Sequence, residues 1–184
     1  TEMAQRNDCV RIYVVDKKPL AEEYKHEKTT SFVFDITEAD YSFFNQFENI
    51  DSLIITAGFG KLALFQDIDE EYIIQSFQVN TIAVIRIIKH FYHKLLSKED
   101  FYCGIMGSIA GFMSSPFFAI YGASKAALKI FIESVNVELL KAGTSNRILN
   151  ISPGSIKGTN FYQGKNELIL TRPLALEIIH HLEQ

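Results

Sequence analysis

The chain has 184 residues, a formal net charge of −4, 47% hydrophobic residues and 12% aromatic residues. That length and apolar content predict one folded domain, residues 1–184, with a sizeable core. The acidic balance, without a basic patch, excludes a nucleic-acid-binding class, and no apolar run approaches the ~20 residues of a membrane span, so the expectation is a cytoplasmic protein with neither nucleic acid nor membrane as partner.

In chain order, Val10–Val15 reads as a strand ending at Asp16, and Thr30–Phe34 as a second ending at Asp35. Ser52–Ile55 is a third, followed by Thr56, Ala57 and Gly58. Glu70–Leu96 predicts a long helix that is apolar on more than one side. Phe101–Met106 is a fourth strand and Tyr121–Lys141 a second long helix, stopped by Gly143. Arg147–Ile151 is a fifth strand, ending at Ser152-Pro153-Gly154, and Pro173–Glu183 a last helix. Short apolar strands alternating with helices predict an α/β fold with a doubly wound, mostly parallel sheet and helices on both faces. Cys9 and Cys103 each sit in or beside an apolar run, which predicts buried free thiols rather than a disulfide or metal pair. His180 and His181 are adjacent in a helix and point to different faces, so no metal site is expected.

The residues that carry chemistry are Tyr121, Lys125 and Ser108. Tyr and Lys four apart on a helix lie on one face. A phenol with a pKa near 10 is a poor acid–base at neutral pH, but an adjacent ammonium favours the phenolate and brings it within range of proton exchange with a hydroxyl or carbonyl. Ser108, thirteen residues before Tyr121, could hold the substrate oxygen. An ordinary surface Tyr–Lys pair beside a capping Ser would show the same spacing, so the remaining motifs decide.

Those motifs are similar to the short-chain dehydrogenase/reductase family. Thr56-Ala57-Gly58 resembles its Asn-Ala-Gly turn, Asn80 in Val79-Asn80-Thr81 its active-site Asn, and Gly107-Ser108-Ile109-Ala110-Gly111 the segment bearing its catalytic Ser. Tyr121-Gly122-Ala123-Ser124-Lys125 resembles its YxASK core, and Ser152-Pro153-Gly154-Ser155-Ile156 its Pro-Gly turn against nicotinamide. The resemblance runs from about Val10 to Thr159 in matching order. It implies a Rossmann-like fold and an NAD(P)-dependent oxidoreductase interconverting an alcohol and a carbonyl. Tyr121 would be the general acid/base, and Lys125 would depress its pKa and bind nicotinamide-ribose hydroxyls. Ser108 would stabilise charge on the substrate oxygen, and Asn80 would hold a water linking Lys125 to solvent. Cofactor contacts would come from Asp16, Asp35, Ile36, Thr56, Ala57, Gly58, Tyr121, Lys125, Pro153, Gly154, Ile156 and Thr159. Ala110, Phe117, Phe118, Ser155 and Phe161 would line a mostly apolar substrate pocket. Family members commonly pair their two long helices across a two-fold axis, so a homodimer or homotetramer is expected.

Asp16 after its strand can accept both adenosine-ribose hydroxyls and would repel a 2′-phosphate, which favours NAD; Lys17 and Lys18 beside it could instead meet the phosphate of NADP. The chain also departs from the family. No TGxxxGxG pattern occurs, so an N-terminal strand with its Gly-rich turn, part of the substrate loop near Gly164–Asn166 and a final strand are expected to be absent from this sequence. Thr56 stands for the usual Asn, and Thr159 falls one residue late. The missing Gly-rich loop supports an alternative, a non-catalytic binding or regulatory protein of the same fold. An epimerase or dehydratase of the longer related type also uses Tyr-x-x-x-Lys, but the short length and the Ala57-Gly58 turn count against it.

Overall fold

The structure is a computed structural model that describes residues 2–47, 49–154 and 171–182. The chain divides into two compact units, residues 1–39 and 40–184.

In the first unit, β1 (Ile12–Asp16) pairs in parallel with β2 (Thr29–Val33), from Ile12 opposite Thr29 to Asp16 opposite Val33. Val14, Val15, Thr29, Thr30 and Val33 are β-branched and suit a pleated, half-buried surface. The strand begins at Ile12 rather than at Val10, because the ladder starts where the Ile12 N–H donates to the Lys28 carbonyl at 2.8 Å. Val10 lies outside it and is 87% exposed. β2, by contrast, starts one residue earlier than the expected Thr30, and the Phe34 N–H still donates to the Asp16 carbonyl.

In the second unit, β3 (Ser52–Ile55), β4 (Tyr102–Met106) and β5 (Ile148–Ile151) form a parallel sheet with β4 in the middle. Ser52 lies opposite Tyr102, and Cys103 opposite Ile148. Cys103, Gly104 and Ile105 are all buried. Successive strand residues face opposite sides, so β4 is covered on both faces.

The long helical run is built from α1 (Glu70–Phe77), a π-helical stretch Gln78–Ala83 and α2 (Val84–Leu95), without a break. Asp69 caps its start, accepting from the Tyr72 N–H at 2.7 Å. Val84, Ile87, Ile88, Phe91 and Leu95 are buried at helical spacing and form its inner face. Asn146 closes its C-terminal end: Nδ2 donates to the carbonyls of Ser97 and Glu99 while Oδ1 accepts from the Phe101 N–H. α3 (Ala119–Lys141) buries Tyr121, Ser124, Lys125, Leu128, Ile132, Val135 and Leu139, and ends where Gly143 takes a φ of 78°. α4 (Thr171–Leu182) packs on β4 and β5, with the Leu182 side chain over Gly104. Ile88, Leu95, Ile105, Leu128, Ile132 and Leu139 are fully buried, and each such side chain contributes roughly 1.5–3 kcal/mol. Of the two thiols, Cys103 is buried as expected, whereas Cys9 is only half-buried. Among the described residues, no helix is long and apolar enough to cross a membrane.

Candidate active site

Tyr121 and Lys125 stand one turn apart at the start of α3, 8% and 3% exposed respectively. The Lys125 Nζ donates to the carbonyl of Met106, the last residue of β4, at 2.8 Å. It lies 5.9 Å from the centre of the Tyr121 ring. Burial pushes the Lys125 pKa down from 10.5 to about 8. The ammonium therefore still dominates at neutral pH, in a site where poor solvation strengthens its field. The Phe118 ring is 5.9 Å from that of Tyr121 and bounds it on the helix's N-terminal side.

Asn80 is fully buried within the π-helical stretch. Its Oδ1 accepts from the Phe59 N–H and its Nδ2 donates to the Phe59 carbonyl, both at 2.9 Å. This two-pronged grip fixes the turn after β3. Gly58, beside it, lies against the end of the Lys125 side chain: a Cβ there would stand 3.2 Å from both Asn80 Oδ1 and Lys125 Nζ. The other Asn80 amide proton is directed at Ser124 Oγ at 3.1 Å and shared with Ser76 Oγ at 3.3 Å.

Ser108 follows β4 with an extended backbone, and its hydroxyl accepts from the Ala110 N–H at 3.2 Å. A hydroxyl has one donor besides its lone pairs, so accepting that bond leaves the O–H for another oxygen. The segment is pressed onto α3. Gly111 approaches the Lys125 backbone, and the Ala110 carbonyl lies over Gly122. Phe117 takes a φ of 68° in the turn before α3, is half exposed, and its carbonyl accepts from the Ala63 N–H.

Thr56, Ala57 and Gly58 follow β3, Ser108 follows β4, and Pro153 and Gly154 follow β5. The strands are parallel, so all these residues gather beyond one edge of the sheet, the C-terminal edge where open α/β sheets bind ligands. In the first unit, Asp16 ends β1, with its carboxylate accepting from the Lys18 N–H at 2.9 Å. Asp35 and Ile36 follow β2. The Asp35 carboxylate accepts from the Thr37 N–H and hydroxyl, and these bonds hold it below the usual carboxylate range, with a smaller contribution from Lys17. Ser155, Ile156, Thr159 and Phe161 lie outside the described residues.

Sequence reasoning missed Met106, Phe59, Ser76, Thr81 and Ser124. The first two act through backbone groups, which no side-chain pattern marks. The other three carried a signal: small polar side chains at buried helical positions beside Asn80 and Lys125.

Residues 2–168 match the family model described as short chain dehydrogenase. The chain is 28% identical over 123 residues to human 17-beta-hydroxysteroid dehydrogenase type 1, covering 67% of this chain and 38% of that protein. It is 30% identical over 140 residues to the short-chain dehydrogenase srdE of Neurospora crassa, covering 73% and 47%. The chain thus spans less than half the length of these relatives. An alcohol dehydrogenase from Thermococcus sibiricus complexed with 5-hydroxy-NADP superposes with a TM-score of 0.82 at 17% identity, covering 100% of this chain and 84% of that one. A short chain dehydrogenase from Burkholderia cenocepacia in complex with NADP gives 0.83 at 22%, covering 95% and 74%. At those identities the likeness speaks to the fold, which is the Rossmann-like α/β fold with parallel strands. With most of its length matched by the family model, and with Asn80, Ser108, Tyr121 and Lys125 in order along it, the chain belongs to the short chain dehydrogenase family.

Proposed function

We propose that this chain carries the catalytic core of an NAD(P)-dependent oxidoreductase that interconverts an alcohol and a carbonyl. The observation that supports it best is the buried Lys125 ammonium, held by the Met106 carbonyl one helical turn from the buried Tyr121. A positive charge kept dry beside a phenol serves proton transfer and is costly otherwise.

The residues present fit a nicotinamide dinucleotide. An ammonium has three donors, and one goes to Met106, so the other two suit ribose hydroxyls. The turn at Thr56–Gly58 and the turn at Pro153–Gly154 would take the nicotinamide end. Asp16 and Asp35 would take the adenosine end, and Asp16 favours NAD over NADP. The cofactor, when bound, supplies the hydride chemistry.

The chain's own groups do the rest. Tyr121 exchanges a proton with the substrate oxygen at its hydroxyl. Lys125 stabilises the phenolate that results. The Ser108 hydroxyl donates to the same oxygen and stabilises negative charge on it. Asn80 keeps the turn at Phe59 closed beside Lys125. Exposed Ile130 and Val137, seven residues apart on one face of α3, are suited to burial against a second copy in a homodimer or homotetramer.

The test is a screen of ketones, aldehydes and alcohols with both nicotinamide cofactors, on the native protein and on Tyr121→Phe. Turnover that nearly vanishes in Tyr121→Phe, with cofactor binding retained, supports the reading. Cofactor binding without turnover of any substrate favours the non-catalytic alternative, and full activity in the variant overturns the acid/base role.

A further inference from the structure

Asn80 and Thr81 are consecutive, yet both side chains reach the same residue on α3. Asn80 Nδ2 donates to Ser124 Oγ at 3.1 Å, and Thr81 Oγ1 donates to the Ser124 carbonyl at 2.9 Å. In an α-helix successive side chains diverge by about 100°, which works against such convergence. The wider π-helical turn of Gln78–Ala83 reduces that divergence, and such single-turn irregularities mark functional places in helices. Ser124 in turn donates to the Tyr121 carbonyl at 2.7 Å. Its one proton is spent there, so its lone pairs face Asn80. Ser124 and Asn80 are fully buried and Thr81 is 6% exposed, so water does not compete for these bonds.

The polarity is fixed along the whole chain of contacts. The Tyr121 carbonyl accepts from Ser124, Ser124 accepts from Asn80, and Asn80 holds both backbone groups of Phe59. We propose that Ser124 and Thr81 are positioning residues: their hydroxyls clasp the π-helical stretch to the helix bearing Tyr121 and Lys125, and so hold Asn80 where it closes the Gly58–Phe59 turn over the lysine ammonium. The inference rests on the catalytic reading of Tyr121 and Lys125, but its physical content is the seclusion of Lys125.

That content can be read without substrate. Met106, whose carbonyl accepts from Lys125 Nζ, and Gly58, which lies against it, do not titrate, and neither does Asn80, which also borders Gly58. On its own helix the titratable neighbours are Tyr121 one turn before and Lys129 one turn after, the latter paired with Glu133 at 2.8 Å. An NMR titration of the lysine side-chain carbons, with Lys125 assigned by its loss in Lys125→Met, follows the ammonium directly. In the native protein the midpoint should fall near 8, below the ordinary 10.5. In Ser124→Ala and Thr81→Val it should rise by about one unit, because a loosened turn admits water and burial is what depresses it. Thr81→Ser, which keeps the hydroxyl, should restore the native midpoint. Unchanged midpoints in folded Ser124→Ala and Thr81→Val overturn the proposal. If Ser124→Ala does not fold, the Thr81 pair decides alone. Valine fills the volume of threonine, and the Ser124 carbonyl left behind still takes its helical bond. A midpoint that rises equally in Thr81→Ser and Thr81→Val also overturns it. Failure of the oxidoreductase reading would leave these titrations unmoved, and failure of the clasp would leave the redox screen unmoved, so the two are separable.

Discussion

Gly111 lies against the backbone of Lys125 so closely that a Cβ on Gly111 would stand 2.9 Å from both the carbonyl carbon and the carbonyl oxygen of Lys125. The segment bearing Ser108 is therefore seated on the turn of α3 that bears the lysine, and the contact is backbone to backbone.

Gly111→Ala tests that seating. Neither atom it would strike can swing away, so the 108–111 segment must lift. Overpacking of this kind costs about 1–3 kcal/mol. The expected result is a lower thermal midpoint together with a turnover loss greater than that of a surface Gly→Ala control. Native stability and turnover in Gly111→Ala would show that the segment floats on the helix.

Lys125 makes stability depend on pH in a direction set by its lowered pKa. The folded value is about 8 and the ordinary value 10.5. Below pH 8 both folded and unfolded states are protonated, and the buried charge costs its full amount. Between 8 and 10.5 the folded state gives up its proton first, so stability rises with pH through that window. Lys125→Met removes the charge and keeps much of the side-chain length. Urea melts should show a wild-type-minus-variant difference that changes across that window, with the variant more stable at neutral pH by up to ~3 kcal/mol. A difference that is flat with pH contradicts a buried, depressed lysine.

The two thiols should differ sharply. Burial pushes the Cys103 thiol up to about 12, and it is 1% exposed on the central strand. The thiolate is the reactive form, so Cys103 should stay inert to a thiol reagent in the native protein, while half-buried Cys9 reacts. One thiol should titrate natively and two after unfolding. Rapid modification of Cys103 without loss of structure would place β4 at an open face.

The proposed function assigns cofactor choice to Asp16 at the end of β1. NADH should bind more tightly than NADPH, and Asp16→Ala should narrow or invert the gap, read by titrating each cofactor against the native protein and the variant. A native preference for NADPH would assign the choice to Lys17 or Lys18.

The sequence by itself determined the elements and the chemistry-bearing side chains. Alternating short apolar strands and amphipathic helices follow from local periodicity, and Tyr121 and Lys125 share a helical face by spacing alone. Only the tertiary structure decided what each group touches. β1 starts at Ile12 because its neighbour's ladder starts there, which the apolar run from Val10 could not reveal. The long helix carries a π-helical turn at Asn80, and no hydrophobic pattern distinguishes that turn from the helix around it. The Lys125 partner is a main-chain carbonyl from β4, and Asn80 grips the main chain of Phe59. Backbone groups are the same in every residue, so their encounters are fixed by how strands and helices pack across long separations, and side-chain identity does not encode them locally.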